Sequence, residues 1–262
     1  MLKKRLPGET LPASQARTGP GAKGASARGR SPVTAQRCPA MRKKYVVRRY
    51  AGLSAALFVM SLGIALVTNA HLGTTPISSL PYAITLISGL SLGITTFICN
   101  VVFVLLQKPI LGSRFTAFTL LQIPVVFVFS LFIDINMWLT RPLICTEYIY
   151  QILLGILGNM VLGLGVSLEI ASNATVLPGE GLAIAIAWRA KKNFGNIKVL
   201  FDMTLVTSAM LLTLIFLHTI AGLREGTLIS ALMVGSCVKL FSRWTRRLKP
   251  FFHGRKIVHP SA

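Results

Sequence analysis

Six runs of mostly apolar residues, each close to the length of a bilayer crossing, constrain this chain more than any other feature. They are Tyr50 to Asn69, Leu92 to Gln107, Phe115 to Ile133, Tyr148 to Ile170, Ile197 to Leu217 and Thr227 to Phe241. A hydrocarbon core needs roughly 20 apolar residues per helix, and fewer where flanking side chains snorkel. Lipid offers no partner to an open backbone group, so spans of this kind are helical. The expected fold is all-α, a polytopic membrane protein of about six transmembrane helices. A seventh apolar stretch, Ile77 to Ser88, is too short to cross.

Composition agrees, with 53% hydrophobic and only 13% charged residues. The excess of 28 Lys and Arg over 7 acidic residues resembles that of a nucleic-acid binder. Nearly all of these charges, however, lie in the tails and in two short stretches between apolar runs, and no basic face recurs with interleaved aromatics. Nucleic acid is therefore not an expected partner. Cys38, Cys99, Cys145 and Cys237 are scattered without a CxxC pair, and the four histidines are equally dispersed, so neither a metal nor any other cofactor is expected.

Positive charge is retained on the cytoplasmic side of a membrane, which fixes orientation. With the N-terminus inside, Arg42, Lys43, Lys44, Arg48, Arg49, Lys108, Arg114, Arg189, Lys191, Lys192, Lys198 and the stretch from Lys239 to Lys256 are all cytoplasmic. Only Arg141 and Arg224 fall outside. Both termini are thus expected in the cytoplasm. Residues 1–40, rich in Gly, Pro, Ser, Ala and Arg, read as a disordered basic tail. Met41 opens a basic flank that runs directly into the first span, which makes it an alternative start. The membrane domain takes in 41–241, and 242–262 form a basic cytoplasmic tail whose aromatics suit either the anionic inner leaflet or solvent.

The chain also matches itself. Setting TPISSLPYAI at Thr75 to Ile84 on LPGEGLAIAI at Leu177 to Ile186 superposes Pro76 on Pro178, an offset of 102 residues. The same gapless shift puts Leu62, Gly63 and Leu66 on Leu164, Gly165 and Leu168, Gly93 on Gly195, and Asn100 on Asp202. Repeat one covers about 50–134 and repeat two about 148–241. Each holds three crossings, an odd number, so the second enters from the opposite face. Inverted repeats place a pathway or site at their interface, built from broken helices.

The two Pro-led segments are the expected location of that site. Thr75, Pro76, Ser78 and Ser79 in the first, and Pro178 and Glu180 in the second, sit where a short helix would start, with Ser or Thr available to cap the first. These segments are either re-entrant into the bundle or linkers at the membrane surface. Asn100 and Asp202 complete the candidate set, as a pair near the pseudo-symmetry axis. For Asp202 a cation- or proton-coupled role stands beside simple pairing with Lys198, one turn away. Asp134, Glu147 and Glu225 are expected in outer loops, and Glu169 at the inner interface. Gln107, Gln122 and Asn159, and Asn100 on its alternative reading, are expected to join neighbouring helices, and Gly155, Gly158, Gly163 and Gly165 to permit close packing.

Several motifs carry a family resemblance: LGTTPISSLPYAI, the following GLSLGITTFICNVVFVLLQ, LLQIP at Leu120 to Pro124, FID at Phe132 to Asp134, and GTLISALMVG at Gly226 to Gly235. In these the chain resembles the YczE/YyaS/YitT group of bacterial membrane proteins over about Arg49 to Phe241. The resemblance implies a bacterial plasma-membrane location and carries over no catalytic or binding residue. The leading functional expectation is a small secondary transporter or exporter of a small solute. The alternative is a non-transporting assembly or regulatory component. An enzyme is not expected, since no nucleophile, base or metal arrangement is present. Beyond the lipid bilayer and its anionic inner leaflet, the partners this leaves open are a solute and a second copy of the chain.

Overall fold

The computed structural model describes residues 43–112, 115–143, 147–219 and 225–245. The expected disorder of 1–40 and most of the C-terminal tail lie outside these residues. Nine helices are described: α1 Lys43–Asn69, α2 Pro76–Ser88, α3 Leu92–Leu111, α4 Ala117–Leu120, α5 Gln122–Leu139, α6 Tyr148–Ser172, α7 Pro178–Ala190, α8 Phe194–Leu217 and α9 Glu225–Thr245. Five of them, α1 from Val47, α3, α5, α6 and α8, are long and apolar enough to cross a membrane. Leu105, Ile135, Leu153 and Ile215, one on each of α3, α5, α6 and α8, are more than half exposed. Water penalises such surfaces and lipid does not. The protein is a polytopic helical membrane protein.

α9, the shortest of the six expected spans, is 21 residues long but is not among the five; it carries Lys239 and Arg243. It packs on α6 as α5 packs on α1. The third expected span is displaced. Residues 117–120 form the short α4, and the long helix starts at Gln122, with Pro124 in its first turn, and runs to Leu139. Asp134 is therefore inside α5 and not in a loop. Its carboxylate accepts from Ser91 Oγ and from Gly93 N, both at 2.8 Å, and so caps the N-terminus of α3.

α1 and α6 form the central pair, and they run antiparallel. Met60 lies against Gly165, Leu162 against Gly63, Val67 against Gly158 and Ala70 near Gly155, so position rises along one helix as it falls along the other. Arg49 Nε donates to Ser172 O at 3.3 Å, joining the start of one to the end of the other. The glycines make this approach possible. A Cβ on Gly63 would lie 2.5 Å from Leu162 N, and one on Gly165 would lie 2.7 Å from Met60 N. Under the 102-residue offset these two contacts are images of each other.

The offset reaches the backbone itself. His71 and Asn173, which follow α1 and α6, both take left-handed φ values, 54° and 47°. α2 and α7 start at Pro76 and Pro178 and end at Ser88 and Ala190, followed by left-handed Gly89 and Lys191. Ser91 and Asn193 then cap α3 and α8 with their side chains, accepting from Ile94 N and Gly195 N. Packing follows the same two-fold relation: α2 lies on α8 and α3, and α7 lies on α3 and α8. One departure stands out. α3 packs closely on α5 through Asp134, whereas α8 and α9 make no comparable contact.

Candidate functional site

Each Pro-led helix begins after the chain doubles back. The left-handed His71 lets Thr74 return beside the last turn of α1, where its hydroxyl lies 3.5 Å from that of Thr68. In the second repeat Leu177 N donates to Glu169 Oε1 at 3.3 Å, which ties the returning strand to the last turn of α6. Proline at the first helical position loses no hydrogen bond there and presets φ. The result is two short helices inside the bundle, not linkers on its surface. Thr74, Thr75, Ser79 and Pro178 are all buried.

The N-terminal ends of α2 and α7 meet. Gly179 is so close to Ile77 that a Cβ on it would stand 2.6 Å from Ile77 Cδ1. Ile77 and Gly179 are counterparts under the offset, so their contact lies on the pseudo-two-fold axis. Around it sit Phe103, Leu182 and Leu205 with Ile77, Leu80, Ile186 and Phe201 packed against them. Phe103 and Phe201 meet edge to face at 5.7 Å.

The eight residues expected at the site divide between the two segments and α3 and α8. Thr75 precedes α2 and directs its hydroxyl to Ser78 Oγ at 3.0 Å, leaving the backbone amides uncapped by it. Ser79 Oγ turns to Pro76 O at 2.7 Å. Pro178 O accepts from Gln107 Nε2 at 3.2 Å, and the same amide donates to Gln122 Oε1, so the two glutamines join α3 to α5 and pin the start of α7. Asn100 donates to Thr96 O within its own helix at 2.8 Å, as Asn159 does to Gly155 O. Asp202 holds Lys198 at 2.6 Å, with both side chains about one-quarter exposed. Glu180 stands within electrostatic range of that pair.

Glu169 was not among those eight. It is 4% exposed, enclosed by the protein. One oxygen holds Leu177 N, and the other, Oε2, is buried without a hydrogen-bond partner. Glu169 and Glu180 line one cavity of about 430 Å³ together with Arg49, Gln122, Asn173 and Thr175. The signal for Glu169 was present in the sequence as an acidic residue near the end of an apolar run; the fold-back that buries it was not. Among the described residues no group of three His, Cys, Asp or Glu is placed to hold a metal.

Comparison with other proteins places the chain. A family model described as "Family of unknown function (DUF6198)" matches residues 47–243. The chain belongs to this family. The DUF6198 region takes in all five candidate spans, both Pro-led helices and the cavity. An uncharacterized protein of Haemophilus influenzae is 26% identical over 193 residues, covering 74% of this chain and 83% of the relative. No solved structure matches.

Proposed function

We propose that the protein is a small secondary transporter or exporter of a small solute in the bacterial plasma membrane, working by alternating access around the Pro76 and Pro178 helices. The observation that carries this reading is the contact of the two half-helix N-termini at equivalent positions of the two repeats, beside a cavity of about 430 Å³ that Glu180 of the second half-helix lines. Irregular backbone within a membrane domain is tolerated where protein or a water-filled path surrounds it. Paired broken helices at a repeat interface are the arrangement from which alternating pathways are built.

Orientation follows from the charges. The cavity includes Arg49, at the end of the bundle that positive charge assigns to the cytoplasm, which supports access to it from the inner side. α9 then serves as the sixth crossing, with Lys239 and Arg243 snorkelling to the same side. The YczE/YyaS/YitT resemblance supports a bacterial plasma membrane. A second hollow of about 580 Å³ beside Trp188, Arg189, Lys191, Lys192 and Phe194 supports contact with anionic inner-leaflet headgroups. Nothing in this reading requires an enzyme.

The test is uptake into proteoliposomes across a panel of cationic, anionic and neutral solutes, under imposed pH and sodium gradients. Gradient-dependent flux is expected, and Glu180→Gln is expected to abolish it. Asp202→Asn removes the i,i+4 pair with Lys198, about one-quarter exposed on each side, and separates the contribution of that pair from that of Glu180. Absence of flux for every solute, with wild type and Glu180→Gln behaving alike, would transfer the protein to the non-transporting assembly or regulatory class.

A further inference from the structure

The chemistry of the cavity wall points to its occupant. The charged residues lining it are Glu169, Glu180 and Arg49. Ionised, they sum to one negative charge. Lys198 and Asp202, the other charges near Glu180, are committed to each other at 2.6 Å. A carboxylate oxygen held away from water without a donor is among the costliest groups a membrane protein can retain, and Glu169 Oε2 is one. Leu177 N satisfies only the other oxygen of that carboxylate. Glu180 is the more accessible of the two acids, and Glu169 lies deeper in the same wall.

Beside the two carboxyl groups and Arg49, the wall holds the amides of Gln122 and Asn173 and the hydroxyl of Thr175, groups that can both donate and accept. Gln107 Nε2 is spent on Gln122 Oε1 and Pro178 O. A volume of about 430 Å³ falls within the range of small-molecule sites and far exceeds what a bare inorganic ion fills. We infer that the cavity between Glu169 and Glu180 binds a small monovalent organic cation through N–H donors, a primary ammonium or a guanidinium, whose charge balances the second carboxylate and whose hydrogens satisfy Glu169 Oε2. This rests on the transport reading for its physiological meaning, since it names the class of solute carried, but binding is measured without flux.

Dicyclohexylcarbodiimide adds its whole mass to carboxyl groups shielded from water, so intact-mass measurement with peptide mapping reads occupancy of these two residues directly. The full-length protein in lipid nanodiscs is labelled with n-butylammonium, tetramethylammonium, sodium or butyrate present at matched ionic strength. Adducts are expected on Glu169 or Glu180. Labelling should slow roughly tenfold once n-butylammonium is about ten times its Kd. Tetramethylammonium, which has no N–H, and butyrate should protect little. Equal protection by tetramethylammonium overturns the donor requirement, protection by sodium alone overturns the organic cation, and absence of protection by every probe overturns the site. Glu169→Gln should lose the Glu169 adduct and the protection at Glu180. If that variant fails to fold, Glu180→Gln with protection read at Glu169 decides the matter. Protection without flux for any amine sinks transport and leaves the cation site standing, whereas flux of an anion without protection does the reverse.

Discussion

Gly165→Leu will leave no folded protein to purify. A Cβ at that position already meets Met60 backbone N at 2.7 Å and its Cα at 2.9 Å, and neither can give way without parting α1 from α6. These two helices form the centre of both repeats, so the cost is not local. Overpacking a well-filled core costs typically about 1–3 kcal/mol, and here four added heavy atoms face main chain. Total stabilities are only about 5–15 kcal/mol, and a main-chain clash relieved only by parting the central helix pair gives up most of that, so the expected loss is most of the folded fraction. Gly63→Leu should do the same through Leu162 N, because the two positions make one contact twice. Gly155→Ala is the control: its Cβ would meet only Ala70 Cβ at 3.8 Å, ordinary contact distance, and monodisperse yield on size exclusion should match wild type.

Glu169→Gln is expected to fold and to fail. The glutamine carbonyl still accepts from Leu177 N, so the strand that leads into α7 keeps its anchor. What disappears is one of the two carboxyl groups of the cavity wall, with Glu180 and Arg49 left in place. Uptake per folded molecule should fall by roughly tenfold or more, the factor carried by about 1.4 kcal/mol. Glu169→Leu also strips the acceptor from a buried amide, at about 1–3 kcal/mol, and should lower thermal stability as well as flux. Wild-type flux in Glu169→Gln would mean that the buried carboxylate is structural.

Which parts of this arrangement a reader could find in the sequence depended on what kind of force set them. The 102-residue offset was legible because Gly63, Gly165, Pro76 and Pro178 meet backbone requirements that few other residues meet. Their spacing therefore survives where side-chain identity does not. The start of α5 was not legible from hydropathy, because Phe115 to Leu121 are as apolar as a span. Pro124, suited to a first helical turn, was the overlooked signal. Asp134 read as a loop residue because carboxylates avoid lipid, yet its two hydrogen bonds to the head of α3 make it tolerable inside a helix end. The burial of Glu169 was not legible for a similar reason. Its place near the end of α6 pointed to the inner interface, and only the return of the chain over it, through Asn173 at a left-handed φ, encloses it. Asp202 does pair with Lys198 at 2.6 Å, a contact that its spacing in the sequence allowed and that is compatible with either of the roles open to it.

The contact of Ile77 with Gly179 has a kinetic meaning of its own. A side chain on a two-fold axis keeps the same neighbour whichever mouth of the molecule is open, because exchanging the roles of the repeats maps the contact onto itself. Under the proposed alternating access, bulk added there would burden the resting states equally and fall instead on the crossing between them, so uptake and release are expected to slow in step with apparent affinity on each side unchanged. Glu180 has no such twin, since its counterpart is Ser78, a neutral hydroxyl. Under the proposed alternating access, charge in the pathway would be borne by one half of a symmetric frame, and the two membrane faces would then differ in affinity while the hinge between them stayed impartial.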